Sequence, residues 1–97
     1  MVRQPRFTLY SRSYCHLCDD MLAALQAMAP AGQPFDVAVI DIDSDADLLA
    51  RFDELVPVLY GGDGAAPGAG LRLCHYVLDQ AAVSRWLHAP DSMRQRA

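Results

Sequence analysis

Prolines and glycines fall in three clusters that limit the length of any regular element. Pro30, Gly32 and Pro34 interrupt the chain once and Pro57 interrupts it again, and Gly61 to Gly70 places five glycines in ten residues. Proline removes a backbone donor and fixes φ, while glycine loses the most backbone entropy on ordering, so these runs belong outside helices and central strands. What lies between them must be short elements packed around one core. At 97 residues the chain is one domain that buries roughly 60 to 65% of its unfolded surface, with no room for a second catalytic domain.

Within those limits the apolar periodicity assigns each stretch. Phe7 to Tyr10 reads as a strand running into the polar turn Ser11-Arg12-Ser13, and a helical pattern opens at Tyr14-Cys15. Leu17, Met21, Leu25 and Met28, with Leu22 beside them, repeat every three or four residues and predict its apolar face. Asp19 and Asp20 suit the positive end of its dipole. Phe35 to Ile42 carries the β-branched run Val37, Val39 and Ile40 and predicts a buried strand. Ser44 is the expected cap of a second helix, with Asp47 three residues on and Leu48, Leu49, Phe52 and Leu55 facing inward. Val56-Pro57 ends that helix.

Val58 to Tyr60 predicts a third strand, and Leu71 to Leu78 a fourth, joined as a hairpin by an overlong glycine-rich loop. Asp79 caps a last helix through His88, with Ala82, Val83, Trp86 and Leu87 inward, and residues 89–97 are expected to fray. The order is strand, helix, strand, helix, strand, strand, helix. A parallel crossover followed by an antiparallel hairpin implies an α/β fold: one four-stranded mixed sheet with helices on both faces.

The chemistry concentrates at Cys15-His16-Leu17-Cys18. Residues three apart at a helix start share a face with Cβ atoms roughly 5 to 6 Å apart. A disulfide needs about 3.5 to 4.5 Å, so a small adjustment of the first turn closes it. Unpaired N–H groups at a helix N-terminus favour a thiolate and lower a cysteine pKa from about 8.5 to roughly 3.5 to 7.5. Cys15, earlier and more exposed, is the expected nucleophile, and Cys18 would resolve a mixed disulfide formed on it. Arg12 and a protonated His16 would add positive charge, which Asp19 opposes. Two other readings use the same residues: a zinc or iron–sulfur module built from Cys15, Cys18, Cys74 and His75, and an interaction module whose cysteines act as a redox sensor. Taken singly, Cys74 reads as a buried strand cysteine and His75 as a solvent-facing one.

Composition narrows the partners. Twelve acids face eight arginines and no lysine, a net charge of −4, which argues against a phosphate-tracking nucleic-acid binder and removes lysine-based chemistry. Three cysteines cannot complete a disulfide framework. Met1 to Tyr10 lacks the apolar run of a signal peptide, and no run approaches the roughly 18 residues of a membrane span. The expected setting is a monomer in the reducing cytoplasm, away from membranes, with no bound cofactor and no metal.

Phe7 to Cys18, the Val56-Pro57 step and the hairpin-plus-helix ending together resemble a glutaredoxin-like protein of the thioredoxin fold. The strings C-H-L-C-D, V-P-V-L and C-H-Y-V-L-D resemble those of a small bacterial glutaredoxin-like family. The resemblance covers a single domain over residues 6–88, leaving 1–5 and 89–97 as tails. It implies a thiol-disulfide oxidoreductase acting on protein or small-molecule disulfides, recharged by glutathione or a thioredoxin-reductase-type donor. It also implies that Pro57 is cis and packs beside Cys15, with the backbone of Val56 free to pair with an extended substrate. Arg12 matches the basic position before the first cysteine, and Tyr14 could form an aromatic rim for substrate. Cys74-His75-Tyr76 stands roughly where glutaredoxins carry a glutathione-binding glycine pair, with Asp79 alone matching the acidic position. His16-Leu17 replaces the usual proline-aromatic pair between the thiols.

Two weaker patterns have plain explanations. Asp41, Asp43, Asp45 and Asp47 alternate like a calcium loop, but Ala46 and Phe52 occupy the positions that need glycine and glutamate, so a solvated strand end leading into a helix cap suffices. The glycine-rich loop lacks phosphate-binding spacing and reads as a surface insertion.

Overall fold

The computed structural model describes residues 5–29, 35–62 and 70–89. Strand β1 (Arg6–Ser11) leads to helix α1 (His16–Ala27), strand β2 (Asp36–Asp41), one 3-10 turn (Ile42–Ser44) and helix α2 (Ala46–Phe52). Strands β3 (Val58–Gly61) and β4 (Leu71–His75) and helix α3 (Gln80–His88) complete the chain. The strands form one sheet in the order β2-β1-β3-β4. β1 and β2 run parallel, and β3 lies antiparallel to both β1 and β4. This is the mixed four-stranded α/β sheet expected from the element order.

Strand pleating explains why the sheet needs helices on both faces. Successive side chains alternate between faces, and β1 is apolar on both: Phe7 and Leu9 join one buried cluster while Tyr10 joins another. On the first face Phe7, Leu9 and Leu59 meet Met21 and Leu25 of α1 and Val83 and Trp86 of α3. On the second, Tyr10, Val58 and Tyr60 meet Ile42, Leu48 and Phe52. Each such side chain contributes roughly 1.5–3 kcal/mol when fully buried. The indole of Trp86 donates to the Arg6 carbonyl at 3.1 Å, and the buried Thr8 hydroxyl donates to the Gly62 carbonyl at 3.0 Å. Gly61 is required by that packing, since a Cβ there would stand 2.5 Å from the Trp86 ring.

Four details depart from the periodicity. Leu17 is 48% exposed, and Cys18 takes the core place expected of Leu17, buried with Met21 and Leu25. Among the described residues β2 pairs with β1 alone, at the sheet edge, and Val39 is half open rather than buried. The cap of α2 is Asp45, one residue beyond Ser44: its carboxylate accepts from Asp47 N–H at 2.8 Å and from Leu48 N–H at 3.4 Å. Ser44 instead ends the 3-10 turn, its hydroxyl donating to the Asp41 carbonyl. β4 stops at His75 because Tyr76 turns into left-handed backbone at φ 64°. The breaker segment 30–34, loop residues 63–69 and both tails, apart from Pro5 and Ala89, lie outside the described residues.

Register brings three connections to one end of the sheet. Tyr10 pairs with Val58 and Val58 with His75. The segment after β1, the segment before β3 and the segment after β4 therefore leave neighbouring strands at a common edge.

Candidate functional site: a cysteine pair at a helix start and a cis-proline step

Cys15 ends the turn after β1 and is the N-cap of α1, with extended backbone (φ −106°, ψ 104°). Its carbonyl accepts the first helical bond, from Asp19 N–H at 3.1 Å. Its sulfur takes the place of the usual capping oxygen, accepting from Cys18 N–H at 3.1 Å. The Cys18 N–H and the positive end of the α1 dipole are thus both directed at the Cys15 sulfur. Cys15 and Cys18 form a disulfide with Cα atoms 5.2 Å apart. Cys15 is half-buried and Cys18 is 3% exposed, so of the two residues Cys15 is the one that reaches solvent.

The Val56-Pro57 peptide is cis, as the resemblance implies. The Pro57 ring is fully buried, so it sets the backbone direction rather than offering a contact surface. The expectation that the whole Val56 backbone is free requires correction: its N–H donates to the Phe52 carbonyl at 3.1 Å, because the chain closes the end of α2 there. Tyr76 N–H likewise occupies the Pro57 carbonyl at 2.9 Å. The Val56 carbonyl accepts no hydrogen bond among the described residues.

Arg12 does not act as a free positive charge for the thiolate. Its guanidinium holds Asp43 through two nitrogens, at 2.7 and 3.3 Å, and Asp53 through the third at 2.7 Å. Two carboxylates against one guanidinium leave this cluster net negative. The Asp43 carboxyl is held below its ordinary range by hydrogen bonding to Arg12. The physical effect is to tie the turn before Cys15 to both ends of the α2 region.

Residues 6–88 match the family model of the glutaredoxin-like domain (DUF836). The chain belongs to this glutaredoxin-like family. The solution structure of protein Ne2328 from Nitrosomonas europaea is similar, with 31% identity over 90% of this chain and 95% of that one and a TM-score of 0.72. The X-ray structure of XcR50 from X. campestris shares 33% identity over 87% of this chain and 99% of that one, with a TM-score of 0.58. Thioredoxin 1 from Thermosipho africanus, 18% identical over 84% of this chain and 93% of that one, shows the shared fold at a TM-score of 0.52. The fold is thus thioredoxin-like. No match is found among curated proteins.

The glutaredoxin-like domain does not assemble the alternative metal set. Among the described residues, no three His, Cys, Asp or Glu side chains gather to hold an ion. Cys15 and Cys18 sit at a helix start while Cys74 lies within β4, opposite Leu59 and packed against the first core cluster. Burial raises the Cys74 thiol pKa, the opposite of what a reactive cysteine needs. His75 is exposed, as its strand position predicts. The alternating aspartates are capping and ion-pairing groups: Asp41 receives Asp43 N–H, Asp45 caps α2, and Asp47 pairs with Arg51 at 3.2 Å. Asp79 caps α3 by accepting Ala82 N–H at 3.1 Å. Among the described residues, no helix is long and apolar enough to cross a membrane.

Two tyrosines mark the site more sharply than their sequence context does. Tyr14 (φ 60°) and Tyr76 (φ 64°) are the non-glycine residues with left-handed backbone among those described. Each costs roughly 1–2 kcal/mol relative to right-handed backbone, and such costs cluster where function fixes the chain. Tyr14 is fully exposed, His16 is exposed next to Cys15, and Val77 after Tyr76 is 71% exposed. The Tyr76 hydroxyl donates to the Glu54 carbonyl, tying the end of β4 to the segment before Pro57. Nothing in the composition around residues 76–77 signals this, because both residues read as a continuing strand.

Proposed function

We propose that this domain is a thiol-disulfide oxidoreductase in which Cys15 is the nucleophile and Cys18 the resolving thiol. The observation that carries the reading is the asymmetry of the pair: Cys15 is accessible and its sulfur accepts the Cys18 N–H, whereas Cys18 is buried one turn along. In the reduced protein the Cys15 thiolate attacks one sulfur of a substrate disulfide. A Cys15–substrate S–S bond forms as the substrate S–S bond breaks, and the departing thiolate takes up a proton. Cys18 then loses its proton, attacks Cys15 Sγ and releases the second substrate thiol. The substrate gains two electrons and two protons, and the protein is left with the Cys15–Cys18 disulfide.

Recharging requires two electrons from a thiol donor, either glutathione or a dithiol reductase of the thioredoxin-reductase type. The Val56 carbonyl beside the cis peptide is the acceptor for a substrate N–H, and Tyr14 borders the approach to Cys15. The working compartment is a reducing one, the cytoplasm, where a dithiol can be regenerated. Replacement Cys15→Ser is expected to abolish disulfide reduction, while Cys18→Ser stops the reaction at a mixed disulfide that mass spectrometry detects on Cys15. Unchanged disulfide reduction by Cys15→Ser overturns the reading. A domain that is oxidised once and recharged by neither donor is a sensor rather than an enzyme.

A further inference from the structure

We infer that the substrate of this dithiol is a disulfide in an extended, neutral or basic polypeptide segment with apolar flanks, and that Tyr14 and Val77 select it over glutathione disulfide. The inference rests on the oxidoreductase reading and specifies its substrate class. Three observations converge at one end of the sheet. Tyr14 and Leu17 bracket Cys15, and Tyr76 and Val77 follow β4; these four residues are 103%, 48%, 44% and 71% exposed. They are apolar surface at a place where register brings the end of β1, the start of β3 and the end of β4 together.

The β4 side of this rim is held in place. Both tyrosines adopt left-handed backbone, and Tyr76 is anchored to the segment around Pro57 through its N–H and its hydroxyl. An apolar side chain that packs on this side loses water without requiring the Tyr76 turn to order itself.

Charge and hydrogen bonding then separate the two kinds of disulfide. The three connections at this edge contain Asp53, Glu54 and Asp79 and a single arginine, Arg12, which is committed to Asp43 and Asp53. Glutathione presents two carboxylates for each ammonium and finds no uncommitted arginine on these connections. A polypeptide presents N–H groups along its length, one of which the Val56 carbonyl can accept, and basic residues in it meet the acidic surroundings favourably.

The test uses the Cys18→Ser variant, which halts at the Cys15 mixed disulfide, and follows adduct formation by mass spectrometry under pseudo-first-order conditions. Four probes are compared: a disulfide-bridged synthetic peptide with Leu, Val and Arg flanking its cysteines, the same peptide with Asp flanks, oxidised glutathione, and bis(2-hydroxyethyl) disulfide. The Leu/Val/Arg peptide is expected to react about tenfold faster than oxidised glutathione, the gain available from burying roughly one apolar side chain. It is also expected to outpace the Asp-flanked peptide. Tyr14→Asn, chosen because asparagine tolerates left-handed backbone, and Val77→Ser are each expected to lower the ratio of peptide rate to hydroxyethyl-disulfide rate about threefold. Oxidised glutathione reacting as fast as the Leu/Val/Arg peptide overturns the inference, as does a ratio unchanged in both variants. Those results leave the oxidoreductase reading standing; no adduct on Cys15 with any of the four probes overturns both.

Discussion

The two faces of the sheet solve the same burial problem with different chemistry. The face under α1 and α3 is mainly aliphatic, with Phe7 and Trp86 as its buried aromatic residues, and among the described residues its helices supply four of the seven buried side chains: Met21, Leu25, Val83 and Trp86 close over Phe7, Leu9 and Leu59. The face under α2 is aromatic. Tyr10 stacks on Phe52 at 4.5 Å between centroids, and Tyr60 meets both edge-on at 5.6 and 6.0 Å. Its short helix depends on Asp45 as a cap and is linked across the surface to Arg12. The long helix places the dithiol, whereas the short one supports the segment leading to the cis-proline. A reactive pair needs a rigid helix start on one side and a fixed chain reversal on the other, and each face provides one of them.

That division can be broken from either side. Phe52→Ala removes the centre of the aromatic face and is expected to cost about 3–5 kcal/mol, and Leu25→Ala on the other face about 2–5 kcal/mol. Denaturant unfolding followed by far-UV circular dichroism and by Trp86 fluorescence should give one coincident transition in both variants, because β1 and β3 contribute to both faces. Separate transitions would mean that the faces are independent. Gly61→Ala forces a methyl group against the Trp86 ring and is expected to cost roughly 1–3 kcal/mol, with a change in Trp86 emission that Phe52→Ala does not produce while the protein is folded.

Smaller effects are expected at the caps and ion pairs. Asp45→Ala removes the acceptor for two α2 N–H groups and is expected to cost about 1 kcal/mol, measured by the same denaturation. Asp43 has the smallest effect and a definite sign. Its carboxyl is lowered in the folded protein by Arg12, so its contribution is complete above the ordinary aspartate pKa, 3.8, and is lost as pH falls through the lower folded value. Wild type minus Asp43→Asn stability should therefore be flat near neutrality and shrink below about pH 4. A difference that instead shrinks between pH 6 and 8 would contradict the assignment.

Much of the fold was legible because local signals agreed with one another. Pro57 separates α2 from β3, although Gly61 of the glycine-rich run closes β3 itself, and Asp79 and the Ala82, Val83, Trp86 spacing placed α3 to within a residue. The departures share a cause: neighbours distant in sequence. Val39 reads as buried until β2 proves to be an edge, and Leu17 reads as core although Cys18, one residue on, takes the buried position. At the site, the cysteine pair and the Val56-Pro57 step were visible as motifs. The pairing of Arg12 with Asp43 and Asp53 spans 31 and 41 residues, and the hydrogen bond that occupies Val56 N–H depends on how α2 ends. Tyr76 carries no signal for left-handed backbone, which tertiary contacts impose on it.

On the proposed mechanism Cys15 and Cys18 act as one two-electron couple while Cys74 stands apart. This coupling is tested most directly by equilibrating the protein across a series of glutathione redox buffers, quenching in acid, alkylating under denaturing conditions and mapping each cysteine by mass spectrometry. Cys15 and Cys18 should lose alkylation together along a single two-electron curve, about 30 mV for each tenfold change in their ratio, with Cys74 alkylated throughout. Pairing of Cys74 with either residue, or independent titration of Cys15 and Cys18, would contradict the account.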